Sequence, residues 1–289
     1  MTAAACEISG LSAIADRFDH VLLDQWGTLH DGRAVFPAAH DCVLKLRKAG
    51  KHIVVLSNSG KRASANAERL ARLGLPRSTY DGILTSGEVT WTGLRDRTRA
   101  PFTDCGNACF LITRGNDGSL VEGLDLALVT DTRDADFILL GGLDDDLAEP
   151  DLWRERFRQA AARRVPMICA NPDLMMFGAT GLVPAPGTLA RAYEWLGGPV
   201  SFVGKPYQPI FAAALEQLGG VDPHRVLMIG DSLDHDVAGA RAMGLQSLLL
   251  ADGVHRTTLT GAPDLAAATR KLAGSANRMP TWTMPQLGW

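Results

Sequence analysis

Four short apolar runs in this chain end in polar residues whose types converge on one chemistry. They are Val21–Leu23 ending in Asp24, Ile53–Leu56 ending in Ser57-Asn58, Val200–Val203 ending in Gly204-Lys205-Pro206, and Arg225–Ile229 ending in Gly230-Asp231 with Asp236 five residues on. In an open α/β sheet, ligands bind in the crevice beyond the carboxyl ends of the strands. Taken singly, each residue reads better as a turn or cap residue, and Lys205 as a solvated charge. Taken together they suit phosphoryl transfer, which needs positioning and charge neutralisation more than elaborate covalent chemistry. A carboxylate such as Asp24 can attack phosphorus in line and form an aspartyl-phosphate, splitting hydrolysis into two easier steps. Mg²⁺ takes oxygen ligands, often one or two carboxylates plus phosphate and waters, and Asp24 and Asp231 have that chemistry. Mg²⁺ and Lys205 would together remove the repulsion between an anionic nucleophile and an anionic substrate, while Ser57 would hydrogen-bond a phosphoryl oxygen.

The elements that must carry these residues follow from the apolar pattern. Val21–Leu23 is too short for a helix and reads as a buried strand that breaks at Gly27. Pro37–Gly50 reads as a helix, with Pro37 suited to its first turn and Gly50 to its end. A strand at Ile53–Leu56, a helix from about Ala63 to Leu73 and a strand at Gly82–Leu84 complete a parallel βαβ series. The middle of the chain alternates again: a helix at Ser86–Arg97, strands at Cys109–Thr113 and Phe137–Leu140, and a helix at Pro150–Arg164. Met167–Ala170 is read as a strand ending in Asn171-Pro172-Asp173, and Gly187–Leu196 as a helix preceded by the turn-rich Val183–Pro186. This middle is long enough to be an inserted domain. From Val200 the first style resumes: strands at Val200–Val203, Arg225–Ile229 and Gln246–Leu250, with a helix at Ile210–Leu218. The tail containing Pro280, Trp282 and Pro285 is expected to pack irregularly on the core.

Composition narrows the class. The chain has 289 residues, 46% hydrophobic and 21% charged, with a formal net charge of −3, the profile of a globular protein with room for a sizeable core. That charge gives no nucleic-acid footprint, and Arg154, Arg156, Arg158, Arg163 and Arg164 read as a solvated helix face. The five cysteines, an odd number with no framework spacing, suit a reducing compartment, and Cys105 and Cys109 lack a second pair to complete a zinc site. Met1–Asp19 lacks the pattern of a secretory signal, and no apolar run reaches the roughly 20 residues of a membrane span. A soluble, cytoplasmic protein without membrane or nucleic-acid partners is the expectation.

In order and spacing, the four strand ends resemble the motifs of the haloacid dehalogenase (HAD) superfamily. Asp24-Gln25-Trp26-Gly27-Thr28 is similar to its first motif, D-x-D-G-[TV], with one departure. Ser57 matches the second motif, Lys205 the third, and Gly230-Asp231 with Asp236 the fourth, G-D-x-x-x-x-D. The insertion between the second and third motifs resembles the class IIA, NagD-like branch. The segments Asn171-Pro172-Asp173, Pro186-Gly187-Thr188-Leu189 and Gly204-Lys205-Pro206 also look like that branch's. The resemblance implies an α/β fold, a Rossmann-like parallel-sheet core at 1–85 and 200–289 with an inserted C2-type α/β cap at 86–199. It also implies a Mg²⁺-dependent hydrolase acting on small phosphorylated molecules. Asp24 would be nucleophile and metal ligand, the Trp26 carbonyl and Asp231 further ligands, and Asp236 a brace for Lys205 or for the waters of the metal. Lys205 would stabilise nucleophile and transition state, and Ser57 and Asn58 would hold the phosphoryl group. Asn171 and Asp173 would contact the leaving group. Caps of that branch often mediate dimers, so a homodimer through the cap is expected.

The departure is Trp26. In HAD phosphatases this position carries a second aspartate, the general acid and base, and an indole N–H is far too weak an acid to replace it. Such catalysis contributes roughly 10²–10⁴-fold, a large loss for an alkyl phosphate and a smaller one for an aryl or acyl phosphate. Three outcomes stay open: His30 or Asp31 replaces the acid, although each also reads simply as a loop residue; the substrate needs no strong acid; or the chain binds a phosphorylated ligand with weak or no turnover, as a regulator. A dehalogenase is disfavoured by Asp231, Asp236 and the cap type, and a phosphonatase by the absence of any lysine between Ser86 and Pro199. Trp153, Trp195 and Trp282 read as packing aromatics, Met175-Met176-Phe177 as apolar packing, and His235 receives no role.

Overall fold

A computed structural model describes residues 5–178 and 181–289, with the side chains of Phe177 and Gly178 outside the description. The chain divides into two compact units. The first comprises the described residues up to Ser57, then Ser64–Leu84 and Lys205–Trp289; the second comprises Asn58–Ala63 and Thr85–Gly204.

The first unit is built on a seven-stranded sheet. Its spatial order is Cys6–Glu7, Trp282–Met284, Gln246–Leu250, Val226–Gly230, His20–Leu23, His52–Ser57 and Gly82–Thr85. The pairings from Cys6–Glu7 through His52–Ser57 are parallel. These strands are near-continuous runs of Val, Ile and Leu because both faces of a parallel sheet are covered, and Val21, Leu22, Leu23, Ile53, Val54, Val55 and Leu56 have no exposed surface. Pro37 opens the helix Pro37–Lys48, whose last turn carries Lys45, Arg47 and Lys48 at the negative end of the helix dipole.

The register decides where chemistry is placed. Leu23 lies opposite both Val55 and Ile229, so Asp24, Ser57 and Asp231 leave three adjacent strands at the same, carboxyl, end. Strand order changes direction between Val226–Gly230 and His20–Leu23, since the chain steps from His20–Leu23 to one side and from Val226–Gly230 to the other, which is the crevice position expected of an open α/β sheet.

The second unit has its own five-stranded parallel sheet, ordered Val200–Phe202, Met167–Cys169, Phe137–Leu140, Ala108–Ile112 and Ala127–Leu128. Beside it lies an antiparallel pair, Met175–Gly178 with Gly181–Pro184. Helices Ser86–Asp96, Arg154–Ala162 and Pro186–Trp195 belong to this unit. Thr85 caps the first of them by accepting the Glu88 N–H at 3.0 Å.

Several expectations need correction. The apolar run from Val200 reads as part of the first unit, but Val200–Phe202 pairs with Met167–Cys169 in the second sheet; a buried parallel strand carries no mark of the sheet it joins. Asn58–Ala63 likewise belongs to the second unit, and the first resumes at Lys205 rather than at 200. The tail is not irregular throughout, since Trp282–Met284 is an inner strand with Trp282 buried. The turn-rich Val183–Pro186 contributes Val183 and Pro184 to the hairpin, and Met175 is exposed rather than packed. Trp153 is buried as expected, whereas Trp195 is 90% exposed. The five arginines of the Arg154–Arg164 stretch are exposed, and two of them pair with nearby acids, Arg154 with Asp151 in the turn before the helix and Arg158 with Glu155 within it.

Candidate active site

Asp24 follows its strand directly, and its N–H still donates to the Ile229 carbonyl at 2.9 Å. The side chain is buried, and Lys205 comes to it from 181 residues away, placing Nζ 2.5 Å from Asp24 Oδ1. The same ammonium donates to Asp236 Oδ1 at 2.7 Å and to the Leu56 carbonyl at 3.2 Å. All three donor positions of Lys205 are therefore used, which is how a buried charge escapes the cost of an unpaired one. The second Asp236 oxygen accepts the Ser232 N–H at 3.1 Å. Asp236 is thus spent on holding Lys205 and its own loop.

That loop is wound as a wide π turn over Leu233–Val237, which carries Asp236 back beneath the strand end. The close approach depends on Gly230, where a Cβ would lie 2.2 Å from the Asp236 carboxyl carbon. Gly27 plays the same part on the other side. Its φ is +74°, and a Cβ there would lie 2.0 Å from Asp231 Oδ2, so only glycine lets the Trp26–Gly27 peptide run against that carboxylate.

Asp24, Asp231 and Asp236 offer oxygens within 4.8 Å of one another, and theirs is the one such acidic cluster among the described residues. Burial pushes the Asp24 carboxyl up to about 7, against the opposing pull of Lys205 and with a further push from Asp236. Burial and the neighbouring Asp24 and Asp236 raise Asp231 well above the usual carboxylate range. Neighbouring Asp236 and Asp24 hold the Lys205 ammonium protonated in spite of its burial. Three crowded carboxylates facing one ammonium are short of positive charge, and an all-oxygen donor set suits a hard divalent cation.

Three other sequence candidates meet in the second unit. Asn58 Nδ2 donates to Asp173 Oδ1 at 2.8 Å, and the Asp173 N–H donates to Asn171 Oδ1 at 3.0 Å. Gly204 packs against this group, where a Cβ would lie 2.7 Å from Asn58 Oδ1. Ser57 closes its strand in the first unit and is buried.

Comparisons with known proteins place the chain in a family. A haloacid dehalogenase-like hydrolase model matches residues 21–127, and a HAD-hydrolase-like model matches residues 202–273. The sugar-phosphatase AraL of Bacillus subtilis is 30% identical over 244 residues, covering 81% of this chain and 83% of the relative. Chronophin of Mus musculus is 29% identical over 276 residues, covering 90% and 87%. A haloacid dehalogenase-like hydrolase from Brucella suis superposes with a TM-score of 0.81 at 31% identity, covering 97% of this chain and 99% of that one. The chain belongs to the haloacid dehalogenase-like hydrolases. It is of the class IIA type, an α/β hydrolase with a parallel core sheet and a separate cap.

Trp26 is where the resemblance to the first motif departs, and the structure describes what surrounds that residue. The indole is 39% exposed and meets the His30 ring edge-on, with centroids 5.9 Å apart at 69°. Gly32 makes room for it, since a Cβ there would lie 2.7 Å from Cζ2. Neither neighbour is placed to act as an acid. His30 is fully buried, its Nδ1 accepts the Gly32 N–H at 3.0 Å, and burial pushes its pKa down to about 4. Asp31 accepts the Ala34 and Arg33 N–H groups at 3.0 and 2.8 Å, bonds that hold its carboxyl below the usual range. A neutral imidazole and an ionised, loop-bound carboxylate have no proton to give near neutral pH.

One support of this HAD site has no signature in residue types. The Val254 N–H donates to Asp231 Oδ2 at 2.9 Å, and Gly253 allows it, for a Cβ there would lie 2.2 Å from Asp231 Cβ. A backbone amide looks the same under any side chain, so only the glycine just past the Gln246–Leu250 strand hinted at a close approach.

Proposed function

We propose that this protein is a Mg²⁺-dependent phosphatase of small phosphorylated metabolites, working through an aspartyl-phosphate at Asp24. The observation that carries the reading is the Lys205 ammonium held between Asp24 and Asp236 at 2.5 and 2.7 Å, with Asp231 beside them. The relatives' names, a sugar-phosphatase among them, support the same substrate class.

In this reading Asp24, the Trp26 carbonyl and Asp231 hold the cation, which when bound neutralises charge on the phosphoryl oxygens. Asp236 keeps Lys205 in place. The ionised Asp24 carboxylate attacks phosphorus in line, the phosphorus–oxygen bond to the leaving group breaks, and that oxygen departs with the bonding pair. Water then cleaves the acyl-phosphate, releasing inorganic phosphate and restoring Asp24. Lys205 stabilises the carboxylate before attack and the spread charge during transfer. Ser57 and Asn58 hold the phosphoryl oxygens, and Asn171 and Asp173 help choose the leaving group.

Trp26 shapes the specificity. With no acid at this position, and with His30 and Asp31 spent on the loop, the substrates turned over best are those whose leaving oxygen is a weak base, such as aryl and acyl phosphates. The same residue supports a second reading, a protein that binds a phosphorylated ligand with little turnover. Mg²⁺-dependent phosphate release from aryl, acyl and alkyl phosphates separates the two. Release from aryl or acyl phosphates that is lost in Asp24→Asn is the expected result. Binding without release across the panel favours the second reading, and undiminished release by Asp24→Asn removes the nucleophile assignment.

The proposal extends to a homodimer through the cap. Leu174, Met175, Leu182 and Trp195 of the second unit are all exposed, and large apolar side chains of this kind are what an interface between two copies would cover. Light scattering on the purified chain tests it, with twice the monomer mass expected.

A further inference from the structure

The Asp231 loop is held by three consecutive residues whose side chains take no part in the chemistry. Gly253 lets the chain close on Asp231, the Val254 N–H binds Asp231 Oδ2 at 2.9 Å, and His255 Nε2 accepts the Leu233 N–H at 3.2 Å. The two segments, 231–233 and 253–255, are thereby zipped by one bond in each direction. The main chain at His255 is itself anchored. Its carbonyl accepts the Thr258 and Leu259 N–H groups, and Leu259 packs in a buried cluster with Leu233, Val237 and Leu249.

We infer that His255 is a positioning residue for the acidic site. By accepting the Leu233 amide it holds the Asp231 loop against Val254, so that the Asp231 carboxylate faces the cation position in one orientation. Partners of this kind around a metal site commonly tune affinity by 10–100-fold. The role needs an acceptor at Nε2, and burial lowers the His255 pKa, keeping the ring neutral. Without that acceptor, the Leu233 N–H would be left partnerless beside buried carboxylates, and the loop would turn away to satisfy it. The inference rests on the metal-site reading above.

Two polar variants of the full chain test it. His255→Gln keeps an acceptor at the reach of Nε2, whereas His255→Asn draws it back by one carbon. Mn²⁺ binding, followed by the electron paramagnetic resonance of the free ion, is expected to weaken about 10-fold in His255→Asn and to stay within about 3-fold of wild type in His255→Gln. At saturating metal, kcat for an aryl phosphate should be nearly the same in all three proteins, so the loss appears as a higher metal requirement. Thermal unfolding without metal establishes that each variant is folded. Equal Mn²⁺ affinity in His255→Asn and wild type, or equal weakening in both variants, overturns the positioning role. A wild-type chain that takes up no Mn²⁺ overturns the metal reading itself, a result distinct from any difference between variants.

Discussion

Lys205 Nζ sits 2.5 Å from Asp24 Oδ1 although 181 residues separate them, and the lysine is almost wholly buried. Burying an ion pair is costly, and removing one partner is costlier still, by about 3–5 kcal/mol, because the remaining charge has nothing to face. Lys205→Met is therefore expected to lose activity and also to lower the stability of the first unit by that order. Urea unfolding checks the second effect. A variant as stable as wild type would show that the carboxylates take up protons at little cost.

Gly27→Ala separates site geometry from ligand chemistry. The variant keeps every carboxylate, yet its new methyl group must displace Asp231 Oδ2, 2.0 Å away. Divalent-cation binding and turnover should both fall by at least about 100-fold, in the upper range for disturbing a metal site's surroundings. Gly50→Ala is the control, for Gly50 shares the φ of +74° but has nothing within 4 Å. It should show the backbone strain alone, about 1–2 kcal/mol of stability, with activity retained.

Trp26→Asp is expected to change substrate range rather than simply to damage the enzyme. An aspartate two residues after the nucleophile supplies the missing proton donor, worth roughly 10²–10⁴-fold where the leaving group is a poor one. The ratio of alkyl to aryl phosphate turnover should rise by a large part of that factor. No change in the ratio would mean that the leaving oxygen is protonated from elsewhere.

His30 sets a pH dependence of stability that is independent of turnover. Its pKa is about 4 in the folded chain against an ordinary value of 6.5, so between these values the unfolded chain binds the extra proton. Stability must then fall as pH falls through this window and be fully present above it. From pH 7 to pH 5 the loss attributable to His30 is roughly 2 kcal/mol. Urea unfolding at the two pH values should show it in wild type and show a shallower slope in His30→Gln.

Much of this site is legible along the chain because buried parallel strands are short apolar runs and the polar residue that ends each one stands out. Asp24, Ser57, Lys205 and Asp231 are found this way, and their order carries the family resemblance. Other features escape for stated reasons. Val200–Phe202 has the composition of any buried strand, so its place in the second sheet is invisible until Met167–Cys169 is seen beside it. Trp195 has the residue type of a packing aromatic but the position of a surface one.

By itself, then, the sequence determined the chemical inventory: an acid at each of two strand ends, one lysine to counter them, and an indole where an acid would serve. Those follow from residue types, which folding does not alter. Only the tertiary structure decided which oxygens face one another, that Asp236 is occupied with Lys205 and Ser232, and that Val254 and His255 hold the Asp231 loop. These are matters of distance between residues far apart in the chain and of backbone amides common to every residue. Packing, not residue type, sets them.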